Sequence, residues 1–430
     1  MHKPHALPRT MNFWSAALFP VNGMVGAGIF ALPALLVASV GTFAPWMMLC
    51  GAIIVLPLAL VFSILAGRYE HHGGPLLYSK EAFGPLVGFQ AGWTRYASGV
   101  VSIAANTQVA IAYLAMLFPE LADPQTRQWA AAGFIAVTTI INLVGMRTSV
   151  GTLGVMTAIK LLPLIALAAA GLLLGDPAVG LQLPPMSAFE SVVLLTFYAL
   201  MSFENATILA GEMCNPKRDA PLTVIVTLGA VALLYGLVIW AYLAIGPVGT
   251  GTENALAASA GIMAGPMGVI VLTAAAAVSI GANTLAGGIS LPRLTFAMAE
   301  QGMLPGAFAH ISPRLRTPDV SILFFGAVAI LFTLLGGFAA LAVASTLARL
   351  VMYLLTALAL PVIERRDAVQ PPHWHFATAL LAAAVIAWIA SQASAEAFRM
   401  LGMIIFVGGG LYLIAAREGV LARRRLSSKG

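Results

Sequence analysis

The chain has 430 residues, of which 60% are hydrophobic and only 9% are charged. A soluble globular protein carries about a quarter charged residues, so this composition excludes an ordinary soluble enzyme or binding domain. The net charge of +6 could suggest nucleic-acid binding, but the basic residues form no stripe or arm and lie in short clusters between apolar runs. That pattern is typical of membrane topology, so we expect a lipid bilayer, and no nucleic acid, as the partner of this chain.

Apolar runs long enough to cross a bilayer recur along the whole chain. Because a spanning helix needs roughly 20 apolar residues, they predict an all-α membrane protein with twelve transmembrane helices. The predicted spans are 12–39, 44–66, 86–117, 128–145, 150–174, 188–211, 221–245, 265–291, 319–336, 338–362, 376–393 and 398–416. The ninth and tenth runs meet at Gly336-Gly337. We interpret them as two helices joined by a tight turn, since together they exceed one crossing; one long bent helix is the alternative.

Lysine and arginine fall mostly on one side of this twelve-span arrangement. The predicted inner segments hold Lys3, Arg9, Arg68, Lys80, Arg147, Lys217, Arg218, Arg293, Arg314, Arg316, Arg365, Arg366, Arg417, Arg423, Arg424, Arg425 and Lys429. The outer segments hold Arg127, Arg399 at a helix start, and the acidic residues Glu120, Asp123, Asp176, Glu190, Glu253 and Glu396. By the positive-inside rule, we expect a multi-pass inner-membrane protein with both termini in the cytoplasm, which requires an even number of spans.

Predicted helix one contains three glycines within six residues, Gly23, Gly26 and Gly28. Each weakens a helix by up to about 1 kcal/mol relative to alanine. In lipid, an interrupted helix is tolerated only where the freed backbone groups face protein, water or ligand. The start of a second half-helix offers bare N–H groups and a positive dipole end, which suit a carboxylate. Close helix packing through the same small residues is the alternative.

Predicted helix six carries Glu204 and Asn205 in the middle of an apolar run. Glu204 lies roughly 24 Å along a helix that starts near Ala188, which places it within the hydrocarbon layer. An intramembrane carboxyl is costly and usually faces the interior of a helix bundle, so a functional site is one interpretation. A carboxylate that only hydrogen-bonds a neighbouring helix is the other.

These two unusual helices each open one half of the chain. Helices one to five and six to ten occupy similar lengths, and because five is odd, the second half inserts in the opposite orientation. This inverted-repeat pattern is typical of secondary transporters, whose ligand binds near the bilayer midplane at the broken helices. The predicted parts are a cytoplasmic N-terminal segment (1–11), two five-helix repeats (12–174 and 188–362), helices eleven and twelve (376–416) and a basic cytoplasmic tail (417–430).

Two cationic side chains lie deep in predicted spans. Lys160 is roughly 20 Å along helix five, where an ammonium group costs at least about 2.5–3.5 kcal/mol. Because burial disfavours its charged form, Lys160 is a candidate proton carrier or a fixed cation in place of bound sodium. The alternative is a lysine whose side chain reaches back to the membrane interface. Arg349 in helix ten does not readily deprotonate and is expected to pair with carbonyls or a carboxylate such as Glu204. Arg95 is expected close to the cytoplasmic surface.

Enzymatic chemistry finds little support in the sequence. No Ser/His/Asp arrangement, phosphate-binding loop or paired cysteine motif is visible, so we expect no enzymatic activity, no cofactor and no metal site. Cys50 lies in an apolar run and Cys214 in a basic loop, which indicates no disulfide framework. The histidines are interpreted as solvated loop residues outside the apolar runs: His2, His5, His71, His72, His310, His373 and His375.

Three motifs, in order, resemble those of the amino acid–polyamine–organocation family of permeases. The run Gly26-Ala27-Gly28-Ile29-Phe30 resembles the helix-one motif of that family. Ser202-Phe203-Glu204, followed by residues 210–221, resembles its helix-six and loop motif, and residues 292–305 resemble the loop after helix eight. The resemblance covers the transport core, while helices eleven and twelve fit only by length. It implies a LeuT-type 5+5 inverted repeat in which helices one and six are broken.

The same resemblance implies which residues would bind an amino-acid substrate: Met24, Gly26, Ala27, Gly28, Met201, Ser202, Phe203, Glu204 and Asn205. The N–H groups of Ala27 and Gly28 would take its carboxylate. The carbonyls of Met24, Met201 and Ser202 would take its ammonium, and Phe203 would cover it as a gate. Lys160 matches a lysine that replaces a sodium ion in proton-coupled members, although other members with it are exchangers. Asn205 stands where the family commonly has a small residue, so the resemblance does not define the pocket for the substrate side chain.

We therefore expect secondary active transport of a small neutral amino acid by alternating access, with proton coupling. Near helix six, Glu204 is the one evident acidic residue for a cationic side chain, which favours neutral substrates over arginine or polyamines. An exchanger or exporter is the alternative, because the direction of transport depends on gradients. A membrane sensor without transport is a further alternative. The sequence indicates no oligomeric state.

Overall fold

A computed structural model describes residues 11–69, 74–145, 150–176, 182–208, 210–246, 249, 251–366 and 371–427. All but the last residue of the predicted N-terminal segment 1–11 lies outside these ranges, as do Arg147, His71 and His72. The end of the predicted tail, 428–430, also lies outside them.

The described chain is built from α-helices joined by short connections. In chain order they are α1 (Phe13–Met24), α2 (Gly28–Val40), α3 (Ala44–Arg68), α4 (Gly74–Phe83), α5 (Pro85–Leu114), α6 (Pro124–Val144), α7 (Val150–Leu174), α8 (Met186–Leu200), α9 (Asn205–Ile208), α10 (Pro216–Ile245), α11 (Ala255–Glu300), α12 (Asp319–Leu335), α13 (Phe338–Glu364), α14 (His373–Ser391) and α15 (Ala395–Ser427). Near the N-terminus, a single β-bridge pairs Met11 with Met213 after predicted helix six.

Nine stretches of the described residues are long and apolar enough to cross a membrane. One of them, Gly28–Arg68, contains both α2 and α3, while α12 is apolar but shorter than the others. The helix α6 begins with Pro124 and is capped by the side chain of Asp123. Hydrogen bonds from the backbone N–H and hydroxyl of Thr126 stabilise that carboxylate and lower the pKa of Asp123.

Several boundaries differ from those predicted. The helix α11 begins ten residues before the predicted 265 and is kinked at Ala264 and Gly265, where Gly265 has a φ of +61° and Pro266 follows. The ten-residue helix α4 was not predicted, because it is too short to span a bilayer. The interpretation of two helices around the glycine pair is confirmed, since Gly336 and Gly337 are extended between α12 and α13.

The helix α5 forms the centre of the bundle. It contacts α4, α6, α11, α12, α13 and α15, and most of its residues are buried. A second large contact joins α3 to α10, and α2 packs against α8. The interrupted segments after α1 and α8 therefore lie inside a shell of packed helices.

Candidate functional site

The helix that starts at Phe13 stops at Met24 and resumes at Gly28. Between them, the N–H of Val25 still reaches the Val21 carbonyl, but the N–H of Gly26 turns back to the Met24 carbonyl at 3.0 Å. Among the described residues, the N–H groups of Ala27 and Gly28 have no hydrogen-bond acceptor. The predicted interruption is thus present, and it leaves donors at the positive end of α2.

The second interruption separates α8, which ends at Leu200, from the short helix α9, which begins at Asn205. Ser202 has a φ of +90°, a left-handed conformation that is unusual for a residue with a side chain. Such strain costs of order 1–3 kcal/mol and clusters at ligand sites and switch regions. The Ser202 carbonyl accepts from the Asn205 N–H at 3.1 Å, which starts the short second half of the helix.

The two interruptions lie against each other. A Cβ added to Gly23 would meet the Asn205 amide nitrogen and the Ser202 Cβ, both at 2.7 Å. A Cβ added to Gly28 would lie 2.8 Å from the Tyr235 hydroxyl. Glycine at positions 23 and 28 therefore lets the backbone of helix one approach helix six and α10 closely. Both interpretations of these glycines hold, because the helix packs closely through them and is also interrupted.

Lys160 lies beside the first interruption rather than at the membrane interface. Its Nζ donates to the Val25 carbonyl at 2.9 Å and reaches the Asn22 carbonyl at 3.3 Å. The side chain is buried, which contradicts the interpretation of a lysine that reaches back to the interface. In the described part of the chain its hydrogen bonds go to carbonyl oxygens, and no carboxylate accepts from it. The Asn22 carbonyl also accepts from the Asn283 amide at 3.1 Å, so this end of α1 is held by two donors.

Glu204 and Arg349 meet at the second interruption, as the sequence suggested. The Arg349 guanidinium lies 3.4 Å from Glu204 Oε1 and donates to Ser202 Oγ at 2.9 Å and Ser98 Oγ at 3.0 Å. The Tyr353 hydroxyl donates to Glu204 Oε2 at 2.7 Å. Both oxygens of a fully buried carboxylate are therefore satisfied, as a buried ion pair requires.

One face of α5 presents polar residues to these groups, which the sequence analysis missed. Arg95 donates to Asn205 Oδ1 at 2.9 Å, and Ser98 contacts Arg349. Ser102 lies 3.0 Å from the Tyr198 hydroxyl, which donates to Asn106 Oδ1 at 2.8 Å. We call residues 95, 98, 102 and 106 the polar face of α5; they share one side of the helix by spacing. Arg95, which was expected close to the cytoplasmic surface, thus contacts the second interruption through Asn205.

Hydrogen-bond partners already surround two of the carbonyls predicted to bind an ammonium group. The Met24 carbonyl accepts from the Tyr235 hydroxyl at 3.2 Å, and the Ser202 carbonyl accepts from the Asn205 N–H. Among described residues, the Met201 carbonyl accepts no backbone hydrogen bond outside a helix. Since a carbonyl has two lone pairs, those of Met201 and Ser202 retain capacity for a further donor, whereas the Met24 carbonyl already accepts from both the Tyr235 hydroxyl and the Gly26 N–H.

Phe203 is enclosed by other aromatic rings. It stacks on Tyr353, with ring centroids 5.5 Å apart, and packs edge-on against Phe62 at 5.6 Å. The residue has no solvent-exposed surface. In this conformation Phe203 fills the space between α3 and α13 and does not line the polar face of α5.

Ion pairs tie helices together at both ends of the bundle. At one end Glu364 lies 2.6 Å from Arg68 and 2.6 Å from His375, next to a cavity of about 470 Å³. At the other end Arg127 pairs with Glu253, next to a cavity of about 280 Å³ lined by Gln108 and the Gly336-Gly337 turn. No residue of the two interruptions lines either cavity, so both cavities are separate from the candidate site.

The sequence of the chain is similar to those of known transporters. Residues 11–408 match the model of the family described as amino acid permease. The chain is 27% identical over 384 residues to the serine/threonine exchanger SteT of Bacillus subtilis, covering 85% of this chain and 86% of SteT. It is 30% identical over 306 residues to the polyamine transporter PUT1 of rice, covering 69% of this chain and 57% of PUT1. It is also 30% identical over 222 residues to the cadaverine/lysine antiporter of Escherichia coli, covering half of this chain and 49% of the antiporter.

The family match spans nearly the whole chain and includes both interruptions, Lys160 and Arg349. The three relatives of this chain named above are an exchanger, a transporter and an antiporter rather than enzymes. The chain therefore belongs to the amino acid permease family, as a multi-pass membrane transporter of the amino acid–polyamine–organocation type.

Proposed function

We propose that this permease carries small neutral amino acids across the inner membrane by alternating access, with the substrate held between the two interrupted helices. The observation that carries the proposal is that the N–H groups of Ala27 and Gly28 have no hydrogen-bond acceptor among the described residues. They belong to the interruption that packs against the strained turn at Ser202. A zwitterion needs donors for its carboxylate and acceptors for its ammonium within a few ångströms. The two interruptions offer both, in backbone groups that water cannot reach freely in a bilayer.

The proposed architecture is a 5+5 inverted repeat with twelve spans. In support, each of the twelve predicted spans overlaps at least one helix of the structure. Helices related by the proposed repeat also contact each other: α3 with α10, α5 with α11, and α6 with α12, which would be helices two with seven, three with eight and four with nine. The first half of helix one also packs on the second half of helix six, since α1 contacts α9. Contacts between corresponding elements are expected around a pseudo-two-fold axis.

In the proposed binding mode the substrate carboxylate accepts from the N–H groups of Ala27 and Gly28, with Gly26 allowing close approach. Its ammonium lies near the carbonyls of Met24, Met201 and Ser202. Asn205 borders the pocket, and Glu204 acts through its pair with Arg349, because that carboxylate is fully buried. Phe203 would have to leave its contacts with Tyr353 and Phe62 to cover the substrate, which makes its gating role a conformational step.

Lys160 is the proposed coupling residue. Its ammonium holds the Asn22 carbonyl in the last turn of α1 and the Val25 carbonyl inside the first interruption. A lysine held mainly by carbonyls in a dry site can lose its proton, whereas an arginine cannot do so readily. Release of that proton would free the same carbonyls and let the first half of helix one move.

Exchange is a second candidate function. Two of the relatives are described as a serine/threonine exchanger and a cadaverine/lysine antiporter. In an exchanger, Lys160 would remain charged and the empty carrier would not return across the membrane. The proposed substrate contacts are the same for exchange and for proton-coupled transport. The two functions differ in whether uptake depends on a proton gradient.

We place both termini and the cavity lined by Arg68, Lys217 and Arg366 on the cytoplasmic side, by the positive-inside rule. The cavity beside Arg127 and Glu253 would then face outward. Labelling of cysteines introduced beside either cavity with an impermeant reagent, in intact cells and in inverted vesicles, checks this orientation.

A two-step experiment tests the proposed function. First, the purified protein is heated with each of the twenty amino acids, and substrates are recognised by a raised unfolding temperature. Second, counterflow of each stabilising amino acid is measured in proteoliposomes, with and without an imposed pH gradient. Uptake that needs only internal amino acid indicates exchange, whereas uptake driven by the gradient indicates proton coupling. Stabilisation without any flux would overturn transport in favour of a sensor, and stabilisation by none of the twenty would overturn the proposed site.

A further inference from the structure

Arg95 is a charged residue of the interior that neither the family motifs nor the proposed binding mode employs. It lies on α5 between Thr94 and Tyr96, both of which are buried, yet Arg95 itself keeps part of its surface exposed. The other members of the polar face of α5, Ser98, Ser102 and Asn106, contact helix six or α13. Arg95 therefore lies on the side of α5 that contacts helix six and α13, and it is only partly covered there.

The position of Arg95 is fixed at the junction of the two interruptions. One nitrogen donates to Asn205 Oδ1 at 2.9 Å, and the amide nitrogen of Asn205 occupies the space beside Gly23. The Nε of Arg95 is buried and has no partner among the described residues. The guanidinium therefore contacts the start of α9, and Asn205 in turn reaches the last turn of α1.

The positive charge of Arg95 is not cancelled by an ion pair. Glu204 is the nearby carboxylate, but Arg349 and Tyr353 occupy its two oxygens and no part of it is exposed. Within the described chain, Arg95, Arg349 and Glu204 together leave one net positive charge. Because charges interact far more strongly in a low-dielectric interior than in water, a second cation in the same space meets strong repulsion.

We propose that Arg95 determines the charge selectivity of this permease by rejecting substrates that carry a cationic side chain or a second ammonium. Amino acids without net charge enter, whereas lysine and diamines such as cadaverine are excluded. Placing a like charge against the wrong ligand is a common way of building specificity. The proposal rests on the proposed transport function and adds the residue that restricts its substrates. The restriction thus comes from a positive charge that is present, in addition to the scarcity of acidic residues near helix six.

The test measures how strongly lysine and cadaverine inhibit uptake of L-serine and L-alanine by the full-length protein in proteoliposomes. The variant Arg95→Gln removes the charge but keeps an amide donor for Asn205 Oδ1. We expect it to be inhibited by lysine and cadaverine at concentrations at least about tenfold lower than the wild type requires, a change of about 1.4 kcal/mol. Inhibition by unlabelled L-serine should change much less. The control Arg95→Lys keeps the positive charge and should reject both cations as the wild type does.

A purely structural role for Arg95 predicts a different pattern, in which uptake of every substrate falls together and both variants behave alike. Ser102→Asp provides an independent variant, because it adds a negative charge to the polar face of α5 while Arg95 remains. It should also admit lysine, and Ser102→Asn should not. The proposal is overturned if Arg95→Gln or Ser102→Asp takes up L-serine but rejects cations as before, or if the wild type itself transports lysine or cadaverine. If the wild type transports no amino acid, the proposed function fails instead.

Discussion

Each interrupted helix lies beside a buried cation, Lys160 at the first and Arg349 at the second, and these two cations are held in different ways. Lys160 contacts the carbonyls of Asn22 and Val25. Arg349 contacts a carboxylate, Glu204, and the hydroxyls of two serines. A lysine with neutral partners can exchange its proton, while an arginine keeps its charge and needs a counter-ion. The difference indicates that the cation at the first interruption, Lys160, can be protonated and deprotonated, whereas the cation at the second, Arg349, stays charged.

The largest effect is expected at the fixed charge. Arg349→Leu leaves Glu204 ionised and buried without its counter-ion, or forces it to take up a proton. Breaking a buried ion pair in this way costs about 3–5 kcal/mol. The variant should therefore unfold at a clearly lower temperature in detergent, measured by the fluorescence of a thiol-reactive dye or by light scattering.

A matched double variant separates lost charge balance from lost packing. Glu204→Gln combined with Arg349→Leu removes both charges, so it should recover a substantial part of the stability that Arg349→Leu alone loses. If the single variant is as stable as the wild type, the ion pair does not hold the second interruption and the contrast between the two cations fails.

The next effect is expected at the bare donors of the first interruption. Gly28→Val places side-chain atoms where a Cβ would already lie 2.8 Å from the Tyr235 hydroxyl, and it crowds the N–H groups that we assign to the substrate carboxylate. Substrate affinity should fall by about a hundredfold or more, close to 2.7 kcal/mol. The stabilising effect of amino acids in thermal unfolding measures this loss.

Gly229→Val is the control for that substitution. It lies in α10, the helix that carries Tyr235, and a Cβ there meets no atom within 4 Å. Its substrate affinity should match that of the wild type. Normal binding by Gly28→Val would refute the assignment of the carboxylate to Ala27 and Gly28.

A smaller and more specific change is expected at the cation that can exchange its proton. Lys160→Ala should fold, because it removes a costly buried ammonium and the Asn22 carbonyl keeps the Asn283 amide as a donor. Gradient-driven uptake should nevertheless fall by about tenfold, which corresponds to 1.4 kcal/mol. Uptake is measured in proteoliposomes at several pH values with a fixed internal amino acid. Lys160→Arg keeps a charge that does not titrate, so it should retain exchange but not coupling. An unchanged pH dependence in Lys160→Ala would remove this residue from the coupling mechanism.

The interruptions could be predicted because glycine content and intramembrane polar residues depend only on local sequence. The pairing of Glu204 with Arg349 was also suggested, since each is too costly to bury alone. The location of Arg95 could not be derived from hydropathy, which measures the depth of a residue but not the side of the helix it faces. The spacing of Arg95, Ser98, Ser102 and Asn106 is helical and could have revealed a polar face.

What that spacing could not reveal is which helix the polar face meets. The rotation and packing of neighbouring helices decide it, and these depend on the whole bundle. The enclosure of Phe203 between Phe62 and Tyr353 is a consequence of the same kind, because three separate helices supply the rings. The family motif names Phe203 but does not determine its conformation.

The smallest effect is expected for Tyr235, which holds the first interruption without any charge. Its hydroxyl donates to the Met24 carbonyl at 3.2 Å, whereas Lys160 reaches the carbonyls of Asn22 and Val25. Tyr235→Phe deletes one neutral hydrogen bond and should cost about 0.5–1.5 kcal/mol of stability, well below Arg349→Leu. The unfolding temperature measures the loss, and the pH dependence of uptake should stay as in the wild type. A Tyr235→Phe variant that lost this pH dependence would show that the hydroxyl shares the exchangeable proton, and Lys160 would no longer be the distinguishing residue of the first interruption.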